Sequence, residues 1–174
     1  MDLLATLRAH RVAMNLLGAA VCAGLMGYAL YSQYQLGLEP CPLCIFQRIA
    51  VIALGVAFLL AAVVPARARV AGILASLLVG LVTLSGVGVA ARHLYIQSLP
   101  AGTVPACGAT LDYMWDVFPA MEVLRKVFTG SGECAKVERV LGLPMPAWVL
   151  ICLLALGTFG VLLNWRGRTR KAAW

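Results

Sequence analysis

Cys41 and Cys44 form a Cys-x-x-Cys pair at the start of a long apolar run, and Arg48 follows four residues after Cys44. Pro42 suits the first turn of a helix and keeps its predecessor extended, so the pattern predicts that a helix opens at Pro42. Cys44 then lies in the first turn, where unpaired N–H groups favour a thiolate, and Arg48 falls on the same face. The spacing indicates a reactive thiol beside a fixed positive charge.

Three plainer interpretations of the pair exist: a structural disulfide, half of a zinc site, or two small buried residues. A bare Cys-x-x-Cys excludes none of them. Arg48 favours redox chemistry, because an ionisable side chain inside an apolar segment is costly and usually marks a functional site.

Composition identifies the class of protein. The chain has 174 residues, of which 62% are hydrophobic and 12% charged, with a mean hydropathy of +0.91. Soluble domains are roughly 45–50% apolar, so this composition indicates an integral membrane protein. The net charge of +7 does not indicate nucleic acid binding, since the basic residues occur in small groups beside apolar runs.

Four apolar runs have about the 20 residues that a helix needs to cross the hydrocarbon core. They cover residues 12–31, 45–64, 70–91 and 145–163. The first is too long for the apolar part of a secretory signal, and further spans follow it. The sequence predicts an all-α membrane protein, a single domain over residues 1–174 built as a four-helix bundle.

The basic residues set the predicted orientation. Eight of the 14 precede the first span, fill the turn between the second and third spans, or follow the fourth. By the positive-inside rule these three places are cytoplasmic. The N and C termini are therefore predicted inside, and loops 32–44 and 92–144 outside. The residues concerned are Arg8, Arg11, Arg67, Arg69, Arg166, Arg168, Arg170 and Lys171.

The second outer loop holds two further cysteines, Cys107 and Cys134. A disulfide between them would stabilise the loop by about 3.5 kcal/mol, so a purely structural bridge is one interpretation. If the loop moves, the pair can instead exchange with a soluble thiol and then with Cys41. Cys44 would be the last thiol in that relay. All four lie on the outer side, where disulfides persist.

The same loop contains an amphipathic pattern. Pro119 is placed to open a helix, and apolar residues follow at helical spacing. We predict a short helix on the membrane surface, with Trp115 and Phe118 near headgroup level. A helix that packs on the protein's own loops fits the pattern equally well. The apolar positions are Met121, Leu124 and Phe128.

Electrons that reach Cys44 need an acceptor. The chain has no haem-attachment motif, no dinucleotide fingerprint and no iron–sulfur spacing. A quinone can reach Cys44 from the bilayer, and Arg48 can stabilise negative charge on its oxygen. The plainer role for Arg48 is a snorkelling side chain. His93 follows the third predicted span and can bond a quinone carbonyl or carry a proton, unless it is merely solvated.

Two cysteines remain. Cys22 and Cys152 lie within apolar spans. We predict that both are unreactive packing residues.

Several segments together resemble the DsbB family of bacterial membrane disulfide oxidoreductases, and the resemblance spans nearly the whole chain. The four spans and two cysteine pairs occur in the family's order. The matching segments are Pro40-Cys41-Pro42-Leu43-Cys44-Ile45-Phe46-Gln47-Arg48, the Cys107 and Cys134 pair, Gly132-Glu133-Cys134-Ala135, and Leu141-Gly142-Leu143-Pro144-Met145-Pro146-Ala147-Trp148.

The resemblance implies a protein in the bacterial inner membrane that reoxidises the periplasmic thiol oxidase DsbA and reduces ubiquinone or menaquinone. Cys107 matches the cysteine that forms a mixed disulfide with DsbA, and Cys134 matches its partner. Cys41 matches the residue that exchanges with this second pair. Cys44 matches the residue that forms a charge-transfer adduct with quinone.

Two further positions follow from the resemblance. Arg48 matches the arginine of the family's quinone site, and His93, within Arg92-His93-Leu94-Tyr95, resembles a quinone-proximal position. No metal is expected.

Three alternatives remain open. A vitamin K epoxide reductase-like enzyme also combines Cys-x-x-Cys with a quinone, although its pair lies late in the core. A metal-binding or structural membrane protein would use the four loop cysteines as a Cys₄ site, but Cys107 and Cys134 lack the short spacing usual there. A transporter would need more polar residues in its spans.

Overall fold

The computed structural model describes residues 10–63, 69–100, 103, 111–130, 132–137 and 139–165. Its elements are α1 (Arg11–Tyr34), α2 (Pro42–Val63), α3 (Arg69–Ser98), α4 (Leu111–Val117), α5 (Ala120–Thr129), α6 (Gly132–Ala135), β1 (Arg139–Val140), β2 (Leu143–Pro144) and α7 (Met145–Asn164). Helices α1, α2, α3 and α7 are long and apolar enough to span a membrane. The predicted all-α, four-helix membrane protein is confirmed.

Helix α3 differs most from its prediction. Its span was predicted to end at residue 91, but the helix continues to Ser98, so the loop predicted at 92–144 begins later. The apolar run ends before Arg92, but the helix continues, and its polar side chains from Arg92 onward form hydrogen bonds with the second loop. His93 therefore lies within α3 and does not follow it.

The first loop is also shorter than predicted. Helix α1 continues to Tyr34, and α2 opens at Pro42, as the proline argument predicted. The loop predicted at 32–44 is thus reduced to residues 35–41.

The predicted orientation rests largely on residues outside the described part. Arg8, Arg67, Arg166, Arg168, Arg170 and Lys171 lie there, as does the side chain of Arg69. The N-in, C-in arrangement remains a prediction.

The membrane core is organised around Phe58 of α2, which is fully buried. An added Cβ at Gly18 of α1 would lie 2.9 Å from its ring, and one at Gly160 of α7 would lie 2.8 Å away. The two glycines therefore leave the space that the ring fills, so Phe58 joins three helices. The remaining members of this cluster are Cys22, Val51, Leu54, Ala57, Val79 and Leu153.

Phe58→Ala should lower the free energy of unfolding by about 3–5 kcal/mol, because the cavity would lie between helices that cannot close over it. Leu59→Ala is the matched control, since Leu59 is 47% exposed on the surface of the bundle. Unfolding of the purified protein in mixed micelles measures both. Equal losses would contradict the central role of Phe58.

A buried polar cluster joins α1 to α7 at the end of the bundle away from Cys41. Nε of Arg11 donates to Oδ1 of Asn164 at 2.7 Å, and Nδ2 of Asn164 donates to Oδ1 of Asn15 at 3.0 Å. Arg11 also reaches the carbonyl of Ala61 on α2. These bonds fix the register of three helices.

The second loop packs against the end of the bundle that carries Cys41, which is the end predicted to lie outside. Val123 and Val127 of α5 are buried in an outer core that also holds Cys41, Ile96 and Cys134. The stripe of Met121, Leu124 and Phe128 is exposed. Helix α5 therefore contacts its own protein through the valines, and its position at the membrane surface remains a prediction. The Trp115 side chain lies outside the described part.

Candidate functional site

Cys41 and Cys44 lie side by side at the N-terminus of α2. Their sulfur atoms are 3.0 Å apart, longer than the roughly 2.05 Å of a disulfide, so no disulfide joins them in this structure. The backbone N–H of Cys44 donates to Sγ of Cys41 at 3.3 Å. We expected first-turn N–H groups to act on Cys44, but Cys41 receives this one because its side chain folds over the turn, as an N-cap does. Cys44 instead accepts from the Cys41 thiol.

Cys134 reaches Cys41 from the second loop. It is 1% exposed and lies in the same outer core as Cys41. Its hydrogen bond with Cys41, then that of Cys44, and then burial raise the pKa of the Cys41 thiol. Cys41 is thus the sulfur that the other two share. Cys107 lies outside the described residues.

The raised pKa of Cys41 has a testable consequence. A thiolate is the species that alkylates, so the midpoint of Cys41 alkylation against pH should lie above the ordinary value of about 8.5. Cys134→Ala removes the largest cause and should move that midpoint downward. Iodoacetamide labelling of the reduced protein, read by peptide mass spectrometry, measures both. An unchanged midpoint would contradict the Cys41–Cys134 contact.

His93 of α3 faces this cluster and is 2% exposed, not solvated. Its Nδ1 lies 3.0 Å from Nε2 of Gln47, and its Nε2 lies 3.1 Å from the carbonyl oxygen of Cys134 and 3.8 Å from Sγ of Cys41. With Gln47 donating to Nδ1, the ring proton sits on Nε2 and is donated to Cys134. His93 therefore holds the backbone of Cys134 beside Cys41.

Two neighbours of His93 on α3 hold the same loop. Nε of Arg92 donates to the carbonyl of Phe128 at 2.8 Å, and Nε2 of Gln97 donates to the carbonyl of Lys136 at 3.1 Å. All three acceptors are backbone carbonyls. The hydrogen bonds from these turns of α3 therefore hold the second loop by its backbone.

Ile96 of α3 packs closely against Gly130 at the end of α5. Gly130 has φ +91°, a conformation that L side chains rarely adopt, and an added Cβ would lie 2.6 Å from Cδ1 of Ile96. Glycine is therefore required at the point where α5 ends and the chain turns toward Cys134.

Arg48 is fixed by α1. Its guanidinium donates to Oε1 of Gln33 and, at 3.0 Å, to the carbonyl of Ala29. Both acceptors belong to α1, so neither of these two hydrogen bonds goes to the Cys44 sulfur. Two of the five N–H donors are used, which leaves the others for a ligand.

A cavity of about 760 Å³ opens beside this arginine, within the usual size range of ligand pockets. Cys44 and Arg48 both line it, as their spacing predicted. Its walls combine apolar side chains with a few polar ones, including Met26, Gln47, His93, Val149 and Cys152.

The two remaining cysteines, Cys22 and Cys152, lie in different surroundings. Cys22 is buried in the membrane core. Cys152 is half-buried and lines the cavity, so it is not enclosed by packing alone.

Sequence reasoning missed the roles of Gln47 and Gln97. Gln47 is buried within an apolar run, and that isolated polar side chain was an available signal. Gln97 gave none, since it lay in a stretch predicted to be loop.

A four-helix membrane protein with a thiol pair beside a third, loop-borne cysteine is the arrangement of a membrane thiol oxidoreductase. The family model "Disulfide bond formation protein DsbB" matches residues 11–163. The chain belongs to the DsbB family and is an oxidoreductase of disulfide bond formation, which confirms the resemblance.

Three relatives named "Disulfide bond formation protein B" illustrate the similarity. The protein of Chromobacterium violaceum is 53% identical over 137 residues, which are 78% of this chain and 82% of the relative. That of Methylococcus capsulatus is 49% identical over 152 residues, which are 86% of this chain and 92% of the relative. That of Nitrosococcus oceani is 47% identical over 160 residues, which are 90% of this chain and 92% of the relative.

Proposed function

We propose that this protein reoxidises a DsbA-like periplasmic thiol oxidase and passes the electrons to a membrane quinone. The observation that carries the proposal is the position of Cys41, which contacts Cys44 on one side and Cys134 on the other. A sulfur shared between two thiols is the geometry that thiol–disulfide exchange requires.

The proposed exchange balances atom by atom. The partner's dithiol reduces a Cys107–Cys134 disulfide and leaves as a disulfide. The Cys134 thiolate then attacks Cys41 of a Cys41–Cys44 disulfide, so that a Cys41–Cys134 bond forms and Cys44 leaves as a thiolate. Attack of Cys107 on Cys134 restores the loop disulfide and releases Cys41. Two electrons and two protons have then moved from the partner to the Cys41–Cys44 pair.

Two features support the direction of this step. Once the exchange is complete and the pair is reduced, the Cys41 thiol donates a hydrogen bond to Cys44, which favours the thiolate at Cys44. His93 holds the carbonyl of Cys134 at 3.1 Å, which keeps the attacking residue beside its target.

The cavity fits a quinone head group. It is large enough and mostly apolar, and Arg48 lies in its lining, where the remaining donors of the guanidinium can bond a carbonyl oxygen. Gln97 adds a buried Oε1 without a hydrogen-bond partner among the described residues, an acceptor suited to a hydroxyl of the reduced form. A bound quinone would supply a two-electron acceptor.

The compartment is part of the same proposal. We assign the protein to the bacterial inner membrane, with the cysteines on the periplasmic side and ubiquinone or menaquinone as acceptor. The predicted orientation and the persistence of disulfides outside the cytosol support this assignment.

The test uses the purified full-length protein with a reduced DsbA-like partner and a soluble ubiquinone, and follows quinone absorbance. The expected result is quinone reduction matched by oxidation of the partner, abolished by Cys44→Ser. Near-unchanged turnover of that variant would refute the mechanism. No quinone reduction by the unaltered protein would refute the function.

A further inference from the structure

We propose that the reduced Cys41–Cys44 pair and His93 form an inhibitory site for a thiophilic divalent cation such as Zn²⁺. The two sulfur atoms and a ring nitrogen all lie within 4.8 Å of one another. Two thiolates and an imidazole are the donor set that zinc prefers. This site differs from the Cys₄ arrangement considered from the sequence, because a histidine of α3 replaces the second cysteine pair.

The donor geometry is close to that of a tetrahedral centre. At the tetrahedral angle, Zn–S bonds of about 2.3 Å and Zn–N bonds of about 2.05 Å place two sulfurs about 3.8 Å apart and a sulfur and a nitrogen about 3.6 Å apart. Sγ of Cys41 lies 3.8 Å from Nε2 of His93 and 3.0 Å from Sγ of Cys44. The sulfurs need to separate by less than 1 Å, a rotation within reach of the Cys44 side chain.

Gln47 is placed to orient the imidazole as a metal ligand requires, once its amide turns its oxygen toward the ring. Its amide lies 3.0 Å from Nδ1 of His93. When the amide presents its oxygen, Nδ1–H donates to it and the lone pair of Nε2 is free for the cation. Ligating histidines usually have such an outer partner. Nε2 then exchanges its contact with the Cys134 carbonyl for the metal bond.

The charge balance favours binding at a buried position. Cys41 and His93 are 7% and 2% exposed. Two thiolates neutralise a divalent cation, so no net charge is buried. Both thiols release their protons to water as the metal binds, and no electrons move. The fourth position faces the cavity and can hold a water molecule.

Binding is linked to the redox state. A Cys41–Cys44 disulfide offers no thiolate, so only the dithiol binds the metal. A bound cation would in turn keep the pair reduced and withhold its electrons from an acceptor. The site would therefore stop the protein after it has been reduced and before it is reoxidised.

The test measures binding directly, without partner or quinone, so its outcome is independent of the proposed function. Full-length protein carrying Cys107→Ser and Cys134→Ser is reduced, freed of reductant and titrated anaerobically with Cd²⁺. Absorbance of the sulfur-to-cadmium charge transfer reports thiolate ligation. The expected result is one cadmium per chain in the reduced form and none in the oxidised form.

Variants in this background assign the ligands. Gln47→Leu should weaken binding by about 10- to 100-fold, the usual effect of losing an outer partner, and His93→Gln should weaken it further. His10→Gln is the matched control, since His10 is the other histidine of the chain, and should change nothing. His93→Cys supplies a thiolate and should retain tight binding.

Three results would overturn the proposal: His93→Gln binding as tightly as its parent, equal binding by the oxidised form, or one cadmium per two chains. If His93→Gln fails to fold, His93→Cys and Gln47→Leu still decide the matter. Loss of binding in His93→Cys together with unchanged binding in Gln47→Leu would remove His93 from the site.

Discussion

Cys134→Ala should lower quinone reduction driven by a protein dithiol by at least about 1,000-fold, the scale of effect expected when a nucleophile is removed. Quinone reduction driven by dithiothreitol should continue. The difference arises because the variant loses the sulfur that contacts Cys41 from the second loop, whereas a small dithiol can reduce the Cys41–Cys44 disulfide directly.

Cys22→Ala is the matched control for this experiment. It removes a thiol that belongs to the membrane core and not to the buried cluster of Cys41 and Cys134, and both reactions should continue. Two findings would contradict the expectation. Retention of protein-driven turnover in Cys134→Ala would show that another sulfur exchanges with Cys41. Loss of both reactions would show that Cys134 acts on the cavity.

Arg48→Met should lower kcat/KM for quinone by about 100- to 1,000-fold, the usual effect of removing a donor to a developing oxyanion. Exchange among the cysteines should be preserved, because the hydrogen bonds of Arg48 go to Gln33 and Ala29 and not to a sulfur. Initial rates over a range of quinone concentrations separate the change in kcat from that in KM.

Arg139→Met provides the comparison. Arg139 is an exposed residue of β1, and its substitution also removes one positive charge. It should behave as the unaltered protein does. In Arg48→Met, trapping of the Cys41–Cys134 disulfide in a Cys44→Ser background measures exchange separately. A loss of trapping would mean that Arg48 acts through the position of α1, and equal effects of both arginine variants would indicate a general charge effect.

Much of this fold could be predicted because lipid imposes one strong rule on sequence. About 20 apolar residues identify a spanning helix, and all four were found. The rule says nothing of a helix that continues beyond the apolar run. The last turns of α3 hold Arg92, His93 and Gln97, whose partners are carbonyls more than 35 residues away in the chain. No local pattern carries that information.

The same distinction between local pattern and long-range contact separates the site residues that the sequence predicted from those whose positions it did not. Cys41, Cys44 and Arg48 are linked by one helical turn, so spacing alone predicted a shared face, and both Cys44 and Arg48 line the cavity. His93 was found as a candidate by its position and by resemblance, but its burial against Gln47 and Cys134 depends on how α3 docks the loop. The sequence therefore indicated the residue types of the site but not the long-range contacts that position them.

The bonds of Arg11 and Asn15 to Asn164 bear on the order in which this protein is assembled. The groups that these bonds join are separated by about 150 positions, so the bonds form only after α7 has been synthesised, and until then Arg11 has the Ala61 carbonyl of α2 as an acceptor. The polar cluster is therefore completed only by the last helix to be made. A chain that ends before Asn164 leaves Arg11 and Asn15 without the partner that α7 supplies.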